Sequence, residues 1–318
     1  MSGKGKNLEQ TVKNKFCVFT NDVETTSIWF NTLRDETGIK VFKEGMPILL
    51  DIYNEFDIKS TFFFTAYIAK LIPEIVKMIL MDGHEVASHG KSHLPENGFD
   101  VMPFERQKSH LEYSKKLLED ISGQEVISFR APALRTNHHT PRALIETGYK
   151  IDSSVASQRF DFLLTFGSKN KIKWLTAPRL PYKVDPENIF KRGNSDLTEV
   201  PLTALFLPYV STTMRIFPLI TSLQRRLVNL ETTITYKPVV FDIHPNEFID
   251  ESTEKRIIKK RSKNLVSYLL KDLLRSKLKV KNLGLNVIPL YKKEIDFYKR
   301  KGFTFTTIKN YCKLNNLL

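Results

Sequence analysis

The sequence predicts an α/β architecture, best accommodated by a single (β/α) barrel. Three observations carry this expectation. Short apolar runs alternate with helix-period patterns over the first two thirds of the 318 residues, the order that gives parallel strands joined by crossover helices. The length suits a barrel, which needs about 250 residues. Acidic, imidazole and guanidinium side chains gather just after several of the apolar runs, where a parallel barrel carries its active site.

The elements follow in order. Residues 15–20 (KFCVFT) read as a buried strand. Residues 45–56 read as a helix with Leu49, Ile52, Tyr53 and Phe56 on one face. A second strand spans 60–65 (STFFFT), and a helix spans 72–81 with Pro73 in its first turn. Residues 85–88 form a short strand. The helix over 104–121 is opened by Pro103 and closed near Gly123. A strand at 127–129, a helix at 141–147 ended by Gly148, and a strand beginning at 149–151 come next. Residues 157–197, with Pro178, Pro181 and Pro186, read as a long loop or insertion, and strand-like segments resume at Thr198. Residues 239–243 (VVFDI) are a late strand, and 303–308 (FTFTTI) are a last strand or an extended closing segment. The expected organisation is a flexible N-terminus over 1–14 and one domain over 15–318.

Composition narrows the function classes. Hydrophobic residues make up 41% and charged residues 26%, which argues for a globular protein and against wholesale disorder. Cys17 and Cys312 are the sole cysteines, too few for a disulfide framework. No apolar run approaches the roughly 18 residues of a membrane span. The opening MSGKGKNLEQTVKNK is polar and lacks the apolar core of a signal peptide. A cytoplasmic location is therefore expected. The net charge is +14, and from Glu251 onward 18 Lys/Arg stand against 5 Asp/Glu. Such a region can face an anionic membrane surface or an acidic polymer. Beneath its charges Ile257, Ile258, Leu265, Leu269, Leu273 and Leu274 recur at helical spacing, so 251–318 reads as basic amphipathic helices packed on the core. No nucleic-acid motif accompanies the charge, and no nucleic-acid partner is expected.

The chemistry-bearing residues lie in HEVASHGKSH, where His89 and His93 are four apart just beyond a strand. That spacing suits one divalent ion. The first strand runs into Asp22 and Glu24, two carboxylates that are costly beside a buried strand unless paired or bound to a cation. Other predicted strands run into Arg130, Asp152 and His244.

In this order the residues resemble the polysaccharide deacetylase, or NodB-homology, family, over roughly residues 16–246. HEVASHGKSH is the most specific stretch, supported by FRAPAL, GYKIDSS and FDIHPNEF. The resemblance implies an incomplete or distorted (β/α) barrel, one divalent metal ion and hydrolysis of N-acetyl groups or related C–N bonds. It implies Glu24, His89 and His93 as metal ligands, Asp22 as general base, His244 as general acid and Arg130 as the residue that orients Asp22. Asp152 is expected as a secondary charge partner of His244 or Arg130. Imidazole and carboxylate ligands suit Zn²⁺, with Co²⁺, Ni²⁺ or Fe²⁺ also compatible. The spaced Asp-Val-Glu, Ala133 after the Arg-x-Pro unit and the absence of Trp after Asp152 depart from the family's common pattern, and they bear on the substrate. Phe160, Trp174 and Tyr182 could supply stacking faces from the loop over 157–197, with core packing the favoured role of each. The expected substrate is an N-acetylated saccharide or its precursor. A cyclic amide or ureide hydrolase on the same scaffold, and a non-catalytic polyanion- or carbohydrate-binding protein, are the alternatives. The binding reading rests on the charge and does not account for the strand-end groups.

Overall fold

The computed structural model describes residues 14–159, 173–256 and 273–318. The expectations for 1–13, Phe160, Ile257, Ile258, Leu265 and Leu269 lie outside these described residues.

The strands are β1 (Phe16–Val23), β2 (Thr61–Phe64), β3 (Glu85–Ser88), β4 (Ser128–Phe129), β5 (Ile151–Asp152), β6 (Tyr182–Asp185), β7 (Asn188–Arg192), β8 (Thr198–Glu199), β9 (Val239–Ile243) and β10 (Thr304–Phe305). They form one sheet in the order β9-β1-β2-β3-β4-β5-β8-β6-β7. The run from β9 to β8 is parallel, and β6 and β7 are antiparallel additions. β9 takes one edge of β1. The other edge is shared, with β10 at Phe16 and Cys17 and β2 from Thr20 onward. The sheet curls without closing on itself, so the α/β barrel is an incomplete, distorted one.

Every residue of β1, β2, β3 and β9 is buried. That is the pattern of parallel strands covered on both faces. The longer helices are α1 (Met46–Glu55), α2 (Phe104–Ser122), α3 (Thr140–Glu146), α4 (Pro218–Thr235), α5 (Ile288–Arg300) and α6 (Ile308–Leu314). α2 ends at Gly123 in the left-handed conformation, as its C-terminal glycine predicts. An aromatic layer locks α5 to the sheet: Phe19 lies 5.2 Å from Phe241, 5.9 Å from Tyr291 and 5.1 Å from Phe305.

Three expectations change. The helix predicted from residue 45 is preceded by a helical segment, Asp35–Lys40, joined to α1 through a π turn at Val41–Gly45. A Cβ on Gly45 would lie 2.4 Å from the carbonyl oxygen of Pro245, so glycine lets this turn seat against the loop that follows β9. The helix predicted over 72–81 shrinks to Glu74–Lys77. The stretch read as an irregular loop contains the β6–β7 hairpin. Pro186 sits in its turn and draws attention away from the alternating burial of β6. The closing FTFTTI segment contributes β10. Among the described residues no helix is long and apolar enough to cross a membrane.

Candidate metal centre and active site

The C-terminal ends of β1, β3, β4 and β9 converge. β1 carries Asp22 and runs into Glu24. β3 delivers His89 one residue past its end. Gly90 then takes a φ of +65°, and a Cβ there would meet Phe99 at 3.1 Å and Pro132 at 3.4 Å. Conformation and space together call for glycine between the two histidines.

His93 Nε2 lies 2.6 Å from Glu24 Oε2 and 2.9 Å from His89 Nε2. One ligand atom from each of Glu24, His89 and His93 falls within 4.8 Å of the others. His89 Nδ1 is 2.8 Å from the carbonyl oxygen of Arg130. A carbonyl only accepts, so Nδ1 carries the proton and Nε2 turns a lone pair toward the trio. Burial holds His89 down at about 4 against the pull of Asp22, which keeps the imidazole neutral. Glu24 Oε2 is buried, and despite the short ion-pair distance to His93 it has no aligned hydrogen-bond donor. Without an ion, a proton on His93 Nε2 is shared between His89 Nε2 and Glu24 Oε2; a cation in its place would satisfy all three atoms at once. Two imidazoles and one carboxylate, with room left for further ligands, fit a catalytic divalent site.

The second half of the site is built around Arg130, which is fully buried. Its Nη1 donates to Asp22 Oδ1 at 2.9 Å, Asp242 Oδ1 at 2.7 Å and Thr20 Oγ1 at 2.9 Å. Its Nε and Nη2 donate to the carbonyl and hydroxyl of Ser153, both at 3.0 Å. The guanidinium lies 4.3 Å over the Phe63 ring. Burial opposes ionisation of Asp22, but His89, Arg130 and His244 outweigh it and hold the carboxyl down at about 2. Asp242 moves the other way. Burial and the neighbouring Asp22 charge push it up to about 7, against Arg130 and His244. Of the two acids on Arg130, Asp22 is the one that stays ionised.

His244 Nε2 is 4.0 Å from Asp22 Oδ2, and its Nδ1 is 3.8 Å from Asp242 Oδ2 and 3.6 Å from Glu247 Oε1. Burial disfavours its protonated form, yet Asp242, Glu247, Asp22 and Glu24 together raise it to about 10. Glu247 is itself fixed by Ser211 Oγ at 2.7 Å and Arg215 Nε at 2.8 Å.

Of the residues singled out in the sequence, Asp22, Glu24, His89, His93, Arg130 and His244 come together. Asp152 does not join them as expected. Its Oδ1 accepts from Ser154 Oγ at 2.6 Å, and its carboxyl pairs with Glu199 on β8. Burial pushes both of these acids up. Successive side chains of an extended chain point to opposite sides, so Ser153, one residue on, reaches Arg130 instead. The charge partners expected of Asp152 are Asp242 and Glu247. The signal was present in VVFDI, where an acid interrupts an apolar strand two residues before His244. Gly90 N–H is turned to Ser88 Oγ at 3.3 Å. Trp174 and Tyr182 are both buried, in the core role favoured for them.

Comparison with known proteins finds similarity to the same family. A family model for polysaccharide deacetylases matches residues 22–151. A peptidoglycan deacetylase of Helicobacter pylori is 26% identical over 192 residues, 57% of this chain and 62% of the relative. The chain thus spans about three fifths of that relative's length. The fold resembles a polysaccharide deacetylase-type protein of Mycobacterium smegmatis, with a TM-score of 0.53 at 17% identity, covering 97% of this chain and 96% of that one. It also resembles Puue allantoinase, with a TM-score of 0.59 at 15% identity, covering 95% and 91%. The strand-end histidines, the curled parallel sheet and the sequence match from Asp22 to Ile151 agree: over that segment this chain is similar to the polysaccharide deacetylase, or NodB-homology, family.

Proposed function

We propose that the protein is a metal-dependent amide hydrolase that removes the N-acetyl group from an N-acetylated saccharide or saccharide precursor. The observation that carries this reading is the convergence of Glu24, His89 and His93 beside the Asp22–Arg130–Asp242–His244 group. The three ligands would hold one divalent ion, with Zn²⁺ the best match to two imidazoles and a carboxylate. When bound, the ion supplies Lewis acidity toward a carbonyl oxygen and toward water.

The chain's own residues supply the proton transfers. Asp22, ionised and hydrogen-bonded through Oδ1, keeps Oδ2 available to take a proton from the attacking water. Arg130 fixes Asp22 by sharing one nitrogen between it and Asp242. His244, held protonated by its carboxylate neighbours, delivers a proton to the departing nitrogen, which otherwise leaves poorly. Asp242 and Glu247 orient the His244 ring from its Nδ1 side. The basic residues that follow Glu251 favour an anionic saccharide precursor.

The test is acetate release from a panel of N-acetylated sugars, nucleotide sugars and oligosaccharides, with and without chelator. Acetate release that chelation abolishes and Zn²⁺ restores is the expected result. Hydrolysis of cyclic ureides with no acetate from any N-acetylated sugar would replace this reading with the ureide alternative.

A further inference from the structure

Helix α4 is built inside out for a solitary chain. The side it presents to the protein carries Thr221, Gln224, Arg225, Val228 and Thr232. Polar groups on that side are held by specific bonds: Arg225 Nη1 donates to Glu294 at 2.9 Å, and Gln224 Nε2 donates to the Leu207 carbonyl at 2.9 Å. The solvent side carries the leucines. Ile220, Leu223, Leu227, Leu230 and Ile234 are 42%, 59%, 47%, 55% and 70% exposed, and Leu219 beside them is 86% exposed. An ordinary surface helix has the reverse polarity.

The spacing of the five seam residues is three, four, three and four. This is the a/d alternation that lets two helices interlock knobs into holes. Gln224 also ties the seam to the short hairpin Ala204–Leu205 and Leu207–Pro208, whose tip, Phe206, is 76% exposed. A fully exposed leucine or isoleucine side chain offers about 100 Å² at about 25 cal/mol per Å² of transfer energy, and an aromatic about twice that. On the exposures above, one copy offers roughly 500 Å² of apolar surface and a pair about 1,000 Å² before any polar rim, which approaches the size of a specific interface. A single chain rarely leaves such a patch bare.

We infer that a second copy of this chain covers the seam, so that the protein is a homodimer joined through α4 against α4. A lipid surface fits less well. Helices that lie on anionic membranes are rich in Lys and Arg beside the apolar stripe, and Arg226 is the one charged residue of α4 classed as exposed. The inference stands on the helix alone and does not depend on the proposed activity.

Light scattering and sedimentation of the full chain test it. The expected mass is twice 36.9 kDa at micromolar concentration. Leu223→Glu with Leu230→Glu should give a monomer with unchanged circular dichroism, because neither side chain packs into its own subunit, and its unfolding midpoint should be lower than that of wild type and independent of protein concentration. A covalent test covers the case in which that variant folds poorly. Leu227→Cys, at the centre of the seam, should form a disulfide-linked dimer on mild oxidation. Met81→Cys, 94% exposed elsewhere, should not, and the native Cys17 and Cys312 are buried. A monomeric wild type overturns the inference, whether or not it floats with anionic vesicles. So does a dimer indifferent to the double glutamate variant, or a Leu227→Cys protein that cross-links no faster than the Met81→Cys control.

Discussion

Replacing Arg130 by Met probes the electrostatic centre directly. Arg130 is fully buried, and one of its nitrogens is shared between two carboxylates at 2.9 and 2.7 Å. Methionine keeps an unbranched apolar stem over Phe63 but removes the cation. Breaking a buried ion pair from one side costs about 3–5 kcal/mol, because the remaining charge is left uncompensated. Here two acids remain. Asp242 already binds its proton tightly and can take one up, so the lower end, roughly 3 kcal/mol, is expected near neutral pH. The pH dependence has a definite sign. Arg130 lowers both carboxyls, so without it each rises relative to the folded wild type. The folded variant then binds protons more tightly than the folded wild type, so its deficit relative to wild type is smallest in acid and grows as pH rises through and beyond the carboxylate range. The assay is urea unfolding of metal-free wild type and variant from pH 4 to 8, followed by the fluorescence of Trp29 and Trp174. Adding Asp242→Asn should recover part of the loss, since one of the two stranded acids is gone. A loss below about 1 kcal/mol, or one that grows on acidification, would refute the assignment of Arg130 as the countercharge of both acids.

Three further outcomes are expected. His89→Ala with His93→Ala should abolish retention of a divalent ion while the fold persists; full occupancy by elemental analysis would remove the site from these residues. Asp22→Asn should retain the ion and lose about 10²–10⁴-fold in turnover, and near-normal turnover on a verified substrate would move the base role elsewhere. His244→Ala should slow an amide substrate more than the matching acetyl ester, whose leaving group needs the proton less. Because His244 must be protonated to act and is held up at about 10, wild-type amide turnover should fall as pH rises through that range. Equal losses on amide and ester would assign His244 to positioning instead.

Strands with strong local patterns were legible in the sequence. VVFDI and EVAS have the bounds predicted for them, and Gly123 marks the end of α2 within a residue. The fold class follows from that alternation. The site was legible where a residue sits just past a strand, as with Asp22, His89, Arg130 and His244. It was not legible where partnership depends on which strands become neighbours. Asp242 meets Arg130 only because β9 pairs with β1, a contact between positions 112 residues apart. Asp152 has the right place in the order but faces Glu199, because side-chain direction within a two-residue strand is a matter of register. The β6–β7 hairpin was hidden by its prolines. α4 was missed because the leucines of PLITSLQRRLVNLETTIT lie outward, exposed among the described residues.

The position of β1 also sets an order of events during synthesis. It is made before every strand it pairs with, yet one of its edges waits for β9 and part of the other for β10. Until both have left the ribosome it depends on β2 alone, with an apolar edge open to wrong partners. The two halves of the site mature at different times for the same reason. Glu24, His89 and His93 all precede α2, whereas Asp242 and His244 follow α4. A nascent chain therefore presents the proposed cation ligands long before it presents the proposed proton donor. A chain halted between those points would carry Glu24, His89 and His93 without Asp242 and His244.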